Sequence, residues 1–193
     1  MKMFKLTMIA IIMTLGFFKN SYAKAEVNGV YLTENDYVNH KLSYGYDPNN
    51  AQGNKIILND FLEGKNVTVV INSKKQVLPK NELFGYRKDG HDYRFQDNKV
   101  YEIVDSEGFY LYTHDKLVQN GKGLKPVKEF YFSIKANSEI VQLTQQNIDK
   151  AFASNYKFRL QVQADLPTDQ ALGTYDKALN KYEIKEIFAE SSK

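Results

Sequence analysis

Apolar and polar residues alternate along most of the first two thirds of the chain. Between residues 27 and 134, apolar side chains recur mainly at every second position. Turn-forming residues interrupt this alternation at intervals of roughly eight to twelve positions, which is typical of antiparallel sheets. The pattern predicts an antiparallel β-meander of about six to eight strands.

Two segments give the clearest strand patterns. Residues 66–71 and residues 130–134 both alternate strictly, and the first is rich in β-branched residues that suit a pleated surface. We expect one face of each segment to enter the core, namely Val67, Val69 and Ile71 in the first and Phe130, Phe132 and Ile134 in the second.

Turn residues locate the hairpins. Asp89-Gly90 accepts the positive φ angles that a tight hairpin turn requires, so residues 86–88 and 91–95 are predicted to pair. A second hairpin is predicted over residues 100–113, and residues 120–126 are predicted to form a loop.

Strands are also predicted near the start, at residues 29–32 and 42–46. Between them, Thr33 is followed three positions later by Asp36, a capping pattern that predicts one or two turns of helix.

The apolar spacing changes to three and four in the last third of the chain. Thr144 can cap a helix over residues 144–153, in which Ile148 and Phe152 share one face. A second helix is predicted over residues 169–182. Its apolar positions are Leu172, Tyr175, Leu179 and Tyr182.

Residues 156–164 fit two structures. Their apolar residues alternate, which favours a strand, but arginine, leucine, glutamine and alanine are good helix formers. As a helix, the segment would place Phe158, Val162 and Leu166 on one face. Because its neighbours are helical, we favour the helix and keep the strand as the alternative. The fold class predicted for residues 24–193 is a single α+β domain, with the meander followed by two or three C-terminal helices.

The first 23 residues resemble a secretory signal peptide. Lys2 and Lys5 precede an apolar run of 13 residues, and Ser21 and Ala23 supply small residues at the positions that a signal peptidase recognises. The run is too short to cross about 30 Å of hydrocarbon as a helix. We therefore expect cleavage before Lys24 and an exported chain, periplasmic or extracellular, that does not span the membrane.

Charge and composition narrow the choice of partner. Residues 1–23 carry three lysines and no acid, so the remaining chain has 23 basic and 23 acidic residues. A nucleic-acid-binding protein needs a basic face, so nucleic acid is not expected as a partner. The chain has no cysteine, and about 170 residues suffice to fold without disulfides.

The sequence contains no motif for metal or nucleophilic chemistry. Zinc prefers cysteine and histidine, and the only such residues are the scattered His40, His91 and His114. No serine lies in a Gly-x-Ser-x-Gly turn, and residues 120–123 lack the glycine spacing of a phosphate loop. We predict no catalytic residue, no metal site and no cofactor.

The hairpin at Asp89-Gly90 carries the one cluster that predicts binding. Its members are Tyr86, Arg87, His91, Tyr93 and Arg94. Tyrosine and arginine are enriched at the centres of interfaces, and alternation would bring some of these side chains together on one face. In the structural alternative, the two tyrosines pack on the core and the charged residues lie in solvent.

Four short segments resemble segments of small exported proteins of the Bacteroidota whose function is uncharacterised. They are Gly29-Val30-Tyr31-Leu32-Thr33, Leu58-Asn59-Asp60-Phe61, Leu83-Phe84-Gly85-Tyr86-Arg87 and Tyr93-Arg94-Phe95. The similarity covers most of the chain after residue 23. The resemblance implies no activity, cofactor or site residue.

The leading hypothesis for function is a non-enzymatic exported module that binds a protein or glycan partner through a sheet face or its loops. The alternative is an exported hydrolase whose acids and histidines converge from separate segments. Binding predicts aromatic and arginine side chains on an open surface, whereas a hydrolase needs His91 or His114 in a cleft within hydrogen-bonding distance of an acid. A lipocalin-like carrier would need strands that close around an apolar cavity.

Overall fold

Antiparallel strands dominate the computed structural model, which describes residues 27–58, 64–121 and 123–192. The predicted signal peptide, residues 1–23, lies outside the described residues. The strands are β1 (Asn28–Tyr31), β2 (Ser43–Tyr46), β3 (Lys55–Ile57), β4 (Asn66–Ile71), β5 (Lys74–Pro79), β6 (Gly85–Lys88), β7 (His91–Gln96), β8 (Lys99–Asp105), β9 (Tyr110–Asn120), β10 (Gly123–Ser133), β11 (Val141–Gln142), β12 (Tyr175–Asp176) and β13 (Lys181–Tyr182). The α-helices are α1 (Glu34–Val38), α2 (Gln145–Ala151), α3 (Tyr156–Asp165) and α4 (Glu183–Ser191).

The main sheet has eight strands in the order β2-β1-β6-β7-β8-β9-β10-β11, and each neighbouring pair is antiparallel. From β6 to β11 it is a simple meander. The segment between β2 and β6 forms a separate three-stranded sheet, β3-β4-β5. With the C-terminal helices that follow, this confirms the predicted α+β fold class.

The main sheet has two differently covered faces. We call the face that carries Val30, Tyr86 and Leu111 the front face, and the face that carries Tyr31 and Tyr112 the back face. On the back face, α1 and residues 136–140 cover a tyrosine-rich layer. This layer contains Tyr31, Tyr37, Tyr101, Tyr112 and Ile140.

Two separate layers cover the front face. The three-stranded sheet packs Val67 and Val69 against Val30 and Phe95 at one end. The C-terminal helices pack at the other end, against a second core of phenylalanine and aliphatic side chains. Its fully buried members include Phe109, Leu111, Phe132, Ile148, Phe158, Val162 and Ile184.

Local sequence signals explain several elements. Thr33 and Asp36 form the predicted capping box at the start of α1. Thr144 caps α2 by accepting the backbone N–H of Asn147 at 3.2 Å. The ambiguous segment at residues 156–164 is helical, as favoured. Burial of Phe158, Val162 and Leu166 in one core stabilises it in that form.

The core positions predicted for the two clearest strands are correct with one exception. Val67, Val69 and Phe132 are buried, and Ile71 and Phe130 are partly buried. Ile134 follows the end of β10 and is 37 % exposed. Alternation cannot place a residue beyond the last paired position of a strand.

The helix predicted over residues 169–182 is wrong. The chain forms one 3-10 turn there (Ala171–Gly173) and then the β12–β13 hairpin. Tyr175 and Tyr182 would share a helical face, but they also pair across this hairpin with ring centroids 5.0 Å apart. Asn180 adopts a φ of 55°, which a helix interior does not allow.

The loop predicted over residues 120–126 is also wrong. β9 continues to Asn120 and β10 begins at Gly123, and these two residues pair directly, with Gly121 at a φ of 60°. Pro126 pairs with Leu117 where β10 is an edge strand, since β11 pairs only with Tyr131 and Phe132. Proline is tolerated at such an edge.

No helix among the described residues combines the length and apolar character needed to cross a bilayer.

Candidate functional site

A row of directly paired residues crosses the front face of the main sheet. Each member lies opposite the next across one strand pair, from β1 to β10. The row runs Val30, Tyr86, Tyr93, Glu102, Thr113 and Phe130. Side chains of directly paired residues are neighbours on the same face of a sheet.

The two ends of this row are packed and its centre borders a cavity. Val30 lies under the three-stranded sheet, and Phe130 packs against the core of the C-terminal helices. Between them is a cavity of about 250 Å³, which we call the central groove. Its lining residues are Tyr86, Tyr93, Asn98, Lys99, Val100, Glu102, Thr113, His114 and Asp115.

Stacked tyrosines form one wall of the central groove. The rings of Tyr86 and Tyr93 are 4.6 Å apart and nearly parallel, with an interplanar angle of 7°. Tyr86 is buried and also contacts Phe95, whose ring lies 5.4 Å away, so the inner ring is anchored in the core. Tyr93 is only partly buried. Both rings line the cavity, and Tyr93 is the more exposed of the two.

The carboxylate of Glu102 links three strands at the base of the groove. One oxygen lies 2.9 Å from Nδ1 of His91 on β7. The other accepts the hydroxyl of Thr113 on β9 at 3.3 Å and lies 3.8 Å from Nζ of Lys128 on β10. These contacts hold the Glu102 side chain in place. The side chain is still 24 % exposed, so it remains open to a ligand.

The structure divides the predicted site residues between the two faces. Tyr86, His91 and Tyr93 lie on the front face. Arg87 and Arg94 lie on the back face, because adjacent residues in a strand alternate. The sheet therefore brings three of the five together and separates the two arginines from them.

The two arginines interact with back-face residues. Arg87 forms an ion pair with Asp92 at 2.7 Å, and the Tyr31 hydroxyl donates to the same carboxylate at 2.8 Å. Arg94 is buried and donates to the Tyr112 hydroxyl at 3.3 Å. Both guanidinium groups are therefore bound by side chains of the back face.

The sequence patterns indicated neither Glu102 and Thr113 as groove residues nor Lys128 as a neighbour of Glu102. The signal that could have found Glu102 is the Asp97-Asn98 turn, in which both residues have positive φ, 52° and 65°. A two-residue turn at this place fixes the register of β7 and β8 and puts Glu102 opposite Tyr93. The position of Lys128 depends on the long β9–β10 hairpin, part of which was predicted as a loop.

The histidines differ in their surroundings. The His91 side chain is 60 % exposed at the edge of the groove. The His114 ring packs 5.3 Å from the Tyr101 ring and its Nδ1 lies 2.9 Å from the carbonyl oxygen of Val100. Of these two histidines, only His91 has an acid among the described residues within hydrogen-bonding distance of its ring. Within the described residues, no three histidine, aspartate or glutamate side chains are grouped so that they could hold a metal ion.

The groove combines an aromatic wall with a fixed carboxylate, a hydroxyl and nearby cationic groups. Such a surface can stack with the apolar face of a ligand and accept or donate hydrogen bonds at its edges. In comparisons with known proteins, no family model, no curated protein and no solved structure matches this chain.

Proposed function

We propose that the chain is a non-enzymatic exported binding module that holds a glycan in the central groove. The observation that carries the proposal is the open centre of the front-face row, where Tyr93 and Glu102 are partly exposed between two packed layers and the buried Thr113 lies beside Glu102. If the centre of this row were apolar, a neighbouring layer would be expected to cover it, because folded proteins bury apolar side chains.

The chemistry of the groove favours a sugar. A pyranose ring has an apolar face that packs on an aromatic ring and hydroxyl groups that hydrogen-bond to a carboxylate. Glu102 can accept such hydroxyls, and Tyr93 offers the ring. The lining also includes Lys99 and Asp115, so both signs of charge are present and neither a strongly anionic nor a strongly cationic ligand is favoured.

The size of the groove points to one sugar unit of a longer chain. Its volume of about 250 Å³ lies below the roughly 300–1,000 Å³ typical of sites for whole drug-sized ligands. A protein partner would instead need about 800 Å² of contact on this side. The glycan is therefore the better of the two partner classes.

A hydrolase is the second candidate, and a specific observation favours it. His91 lies 2.9 Å from Glu102, and Asp115 lines the same cavity as Glu102. Glycoside hydrolysis commonly uses two carboxyl groups on either side of the bond. Against this, both oxygens of Glu102 already have protein partners, and the His91 side chain is mostly exposed.

The test is a glycan array probed with purified protein and with matched variants. Tyr93→Ala removes the outer ring, and Glu102→Gln keeps the side-chain shape without the charge. Each should weaken binding to the best glycan by about tenfold or more. Tyr156→Ala is the control, because Tyr156 is 64 % exposed on α3 outside the groove lining, and it should bind as the parent does.

The same glycan distinguishes the two candidate functions. If the protein is a binding module, the glycan is recovered intact after prolonged incubation, as judged by mass spectrometry. Shortened products that disappear in Glu102→Gln would establish the hydrolase instead. No saturable binding to any glycan, or equal binding by all variants, would contradict the proposal.

A further inference from the structure

A second cavity opens between β2 of the main sheet and the β4–β5 hairpin. Its volume is about 530 Å³, which lies within the range typical of small-molecule sites. Tyr44, Val69 and Ile71 provide its apolar lining, and Lys74, Lys75 and Gln76 provide most of its polar lining. We call it the hairpin cavity.

Tyr44 reaches this cavity through an irregularity in the sheet. Residues 28 and 30 of β1 pair with residues 46 and 43 of β2, so β2 contains one extra residue at this point. Tyr44 lies within this bulge at a φ of 54°, a left-handed conformation that a bulky residue rarely adopts. Bulges commonly redirect a side chain, and here the bulge residue is an aromatic that lines a cavity.

The polar lining of the hairpin cavity is cationic. Lys74 pairs with Ile71 and Gln76 pairs with Val69, so all four lie on the same face of the β4–β5 hairpin. Lys75 also lines the cavity, and no acidic residue does. Both lysines are exposed, and neither has an acidic partner within the part of the chain that the structure describes.

We propose that the hairpin cavity binds an amphipathic carboxylate, with its apolar body against Tyr44, Val69 and Ile71 and its carboxylate beside Lys74. The hairpin cavity combines positive charge with an apolar lining. The central groove differs because Glu102 and Asp115 are part of its lining. An ammonium at a cavity edge pairs with a carboxylate by a charge-assisted hydrogen bond. This site is independent of the glycan proposal and shares no lining residue with the central groove.

The test uses three probes of equal chain length: octanoate, 1-octanol and octylammonium. Each is titrated into isotope-labelled full chain while backbone amide chemical shifts are recorded. Octanoate should bind saturably, shift the amides of Tyr44, Val69 and Lys74, and bind about tenfold more tightly than octanol. Octylammonium should bind least tightly.

Variants separate head-group recognition from apolar contact. Lys74→Met together with Lys75→Met should weaken octanoate binding about tenfold and leave octanol unchanged. Lys55→Met is the matched control, since Lys55 is an exposed lysine of the same three-stranded sheet outside the cavity lining, and it should change neither. Tyr44→Gly should weaken both probes, and glycine readily adopts the φ of this position, so the amide spectrum should remain that of a folded protein.

Three results would overturn the inference. They are equal affinity for octanoate and octanol, octanoate affinity unaffected by the double lysine variant, and shifts confined to residues outside the hairpin cavity. Because the readout is specific to residues of this cavity, its failure leaves the glycan proposal untouched, and the reverse also holds.

Discussion

The ammonium group of Lys185 lies 3.1 Å from the Oδ1 atom of Asp105 and joins α4 to the end of β8. The same group donates to the backbone carbonyls of Glu107 and Phe109 and lies 4.0 Å from the centre of the Phe109 ring. Its side chain is only 4 % exposed. Burial lowers the pKa of Lys185 below the ordinary value for lysine, and the Asp105 charge partly offsets this effect.

We predict that Lys185→Met lowers the free energy of unfolding by about 2–4 kcal/mol. Methionine fills similar space, but the two carbonyl oxygens lose the ammonium donor and Asp105 loses its ion pair, keeping only the backbone N–H of Glu107. Chemical denaturation measures the change. Lys177→Met is the control, since Lys177 is exposed, and it should change stability by less than about 0.5 kcal/mol. Equal effects of the two variants would mean that the Lys185 contacts contribute no stability.

We predict that the back-face tyrosines make the protein less stable at alkaline pH. Burial raises the pKa of Tyr31, Tyr37 and Tyr131 well above 10.0, and hydrogen bonds to Asp92 and Glu129 add to the effect for Tyr31 and Tyr131. The folded state therefore holds these protons more tightly than the unfolded state does. Their contribution to stability is complete below pH 10 and falls as pH rises above it, by about 1.4 kcal/mol per pH unit for each tyrosine.

Denaturation at a series of pH values, followed through phenolate absorbance, checks this slope. Tyr31→Phe should reduce the slope above pH 10 by one tyrosine's share, about 1.4 kcal/mol per pH unit. A slope that is the same in Tyr31→Phe and the parent would show that Tyr31 ionises as readily in the folded state as in the unfolded state.

Gly85 permits the close pairing of β6 with β7. A Cβ atom at this position would lie 1.9 Å from the carbonyl oxygen of Tyr93, and backbone cannot move away as a flexible side chain can. We predict that Gly85→Ala destabilises the protein by more than about 3 kcal/mol or prevents folding. Gly123→Ala, where no atom lies within 4 Å, should change stability by less than about 0.5 kcal/mol in the same thermal or chemical unfolding experiment. Similar stability of the two variants would contradict the pairing geometry.

Local chemistry explains which parts of the fold could be predicted. The Asp89-Gly90 turn, the Thr33 capping box and the strand at residues 66–71 each depend on residues close in sequence, and each prediction is confirmed. The helix predicted over residues 169–182 is wrong because the apolar spacing there fits both a helix and a cross-strand pair. The spacing alone does not decide between them, because Tyr175 and Tyr182 are neighbours in either structure.

Only part of the site could be predicted, because some of its contacts depend on pairing between strands and not on residues close in sequence. Alternation within one strand could have separated Arg87 and Arg94 from Tyr86 and Tyr93. By contrast, Glu102 lies near His91 because the β7–β8 hairpin fixes the register of these two strands. The two layers that leave the groove open come from segments far apart in sequence, and no local pattern indicates how far each layer extends.

Export predicts a defined amino terminus. If residues 1–23 act as a signal peptide, the exported protein begins at Lys24. Intact-mass measurement of protein from the periplasm or the medium checks this, with Ala23→Leu as the comparison, because a bulky residue at the cleavage position should slow processing. Recovery of Met1 in exported protein would contradict the signal-peptide assignment.

Amide chemical-shift mapping with the best glycan from the array tests the central groove most directly. The largest shifts should fall on Tyr93, Glu102 and Thr113, with none in α2, α3 or the hairpin cavity, and Glu102→Gln should reduce them at equal glycan concentration. Shifts on the back face, or on the C-terminal helices without change at Glu102, would contradict the account.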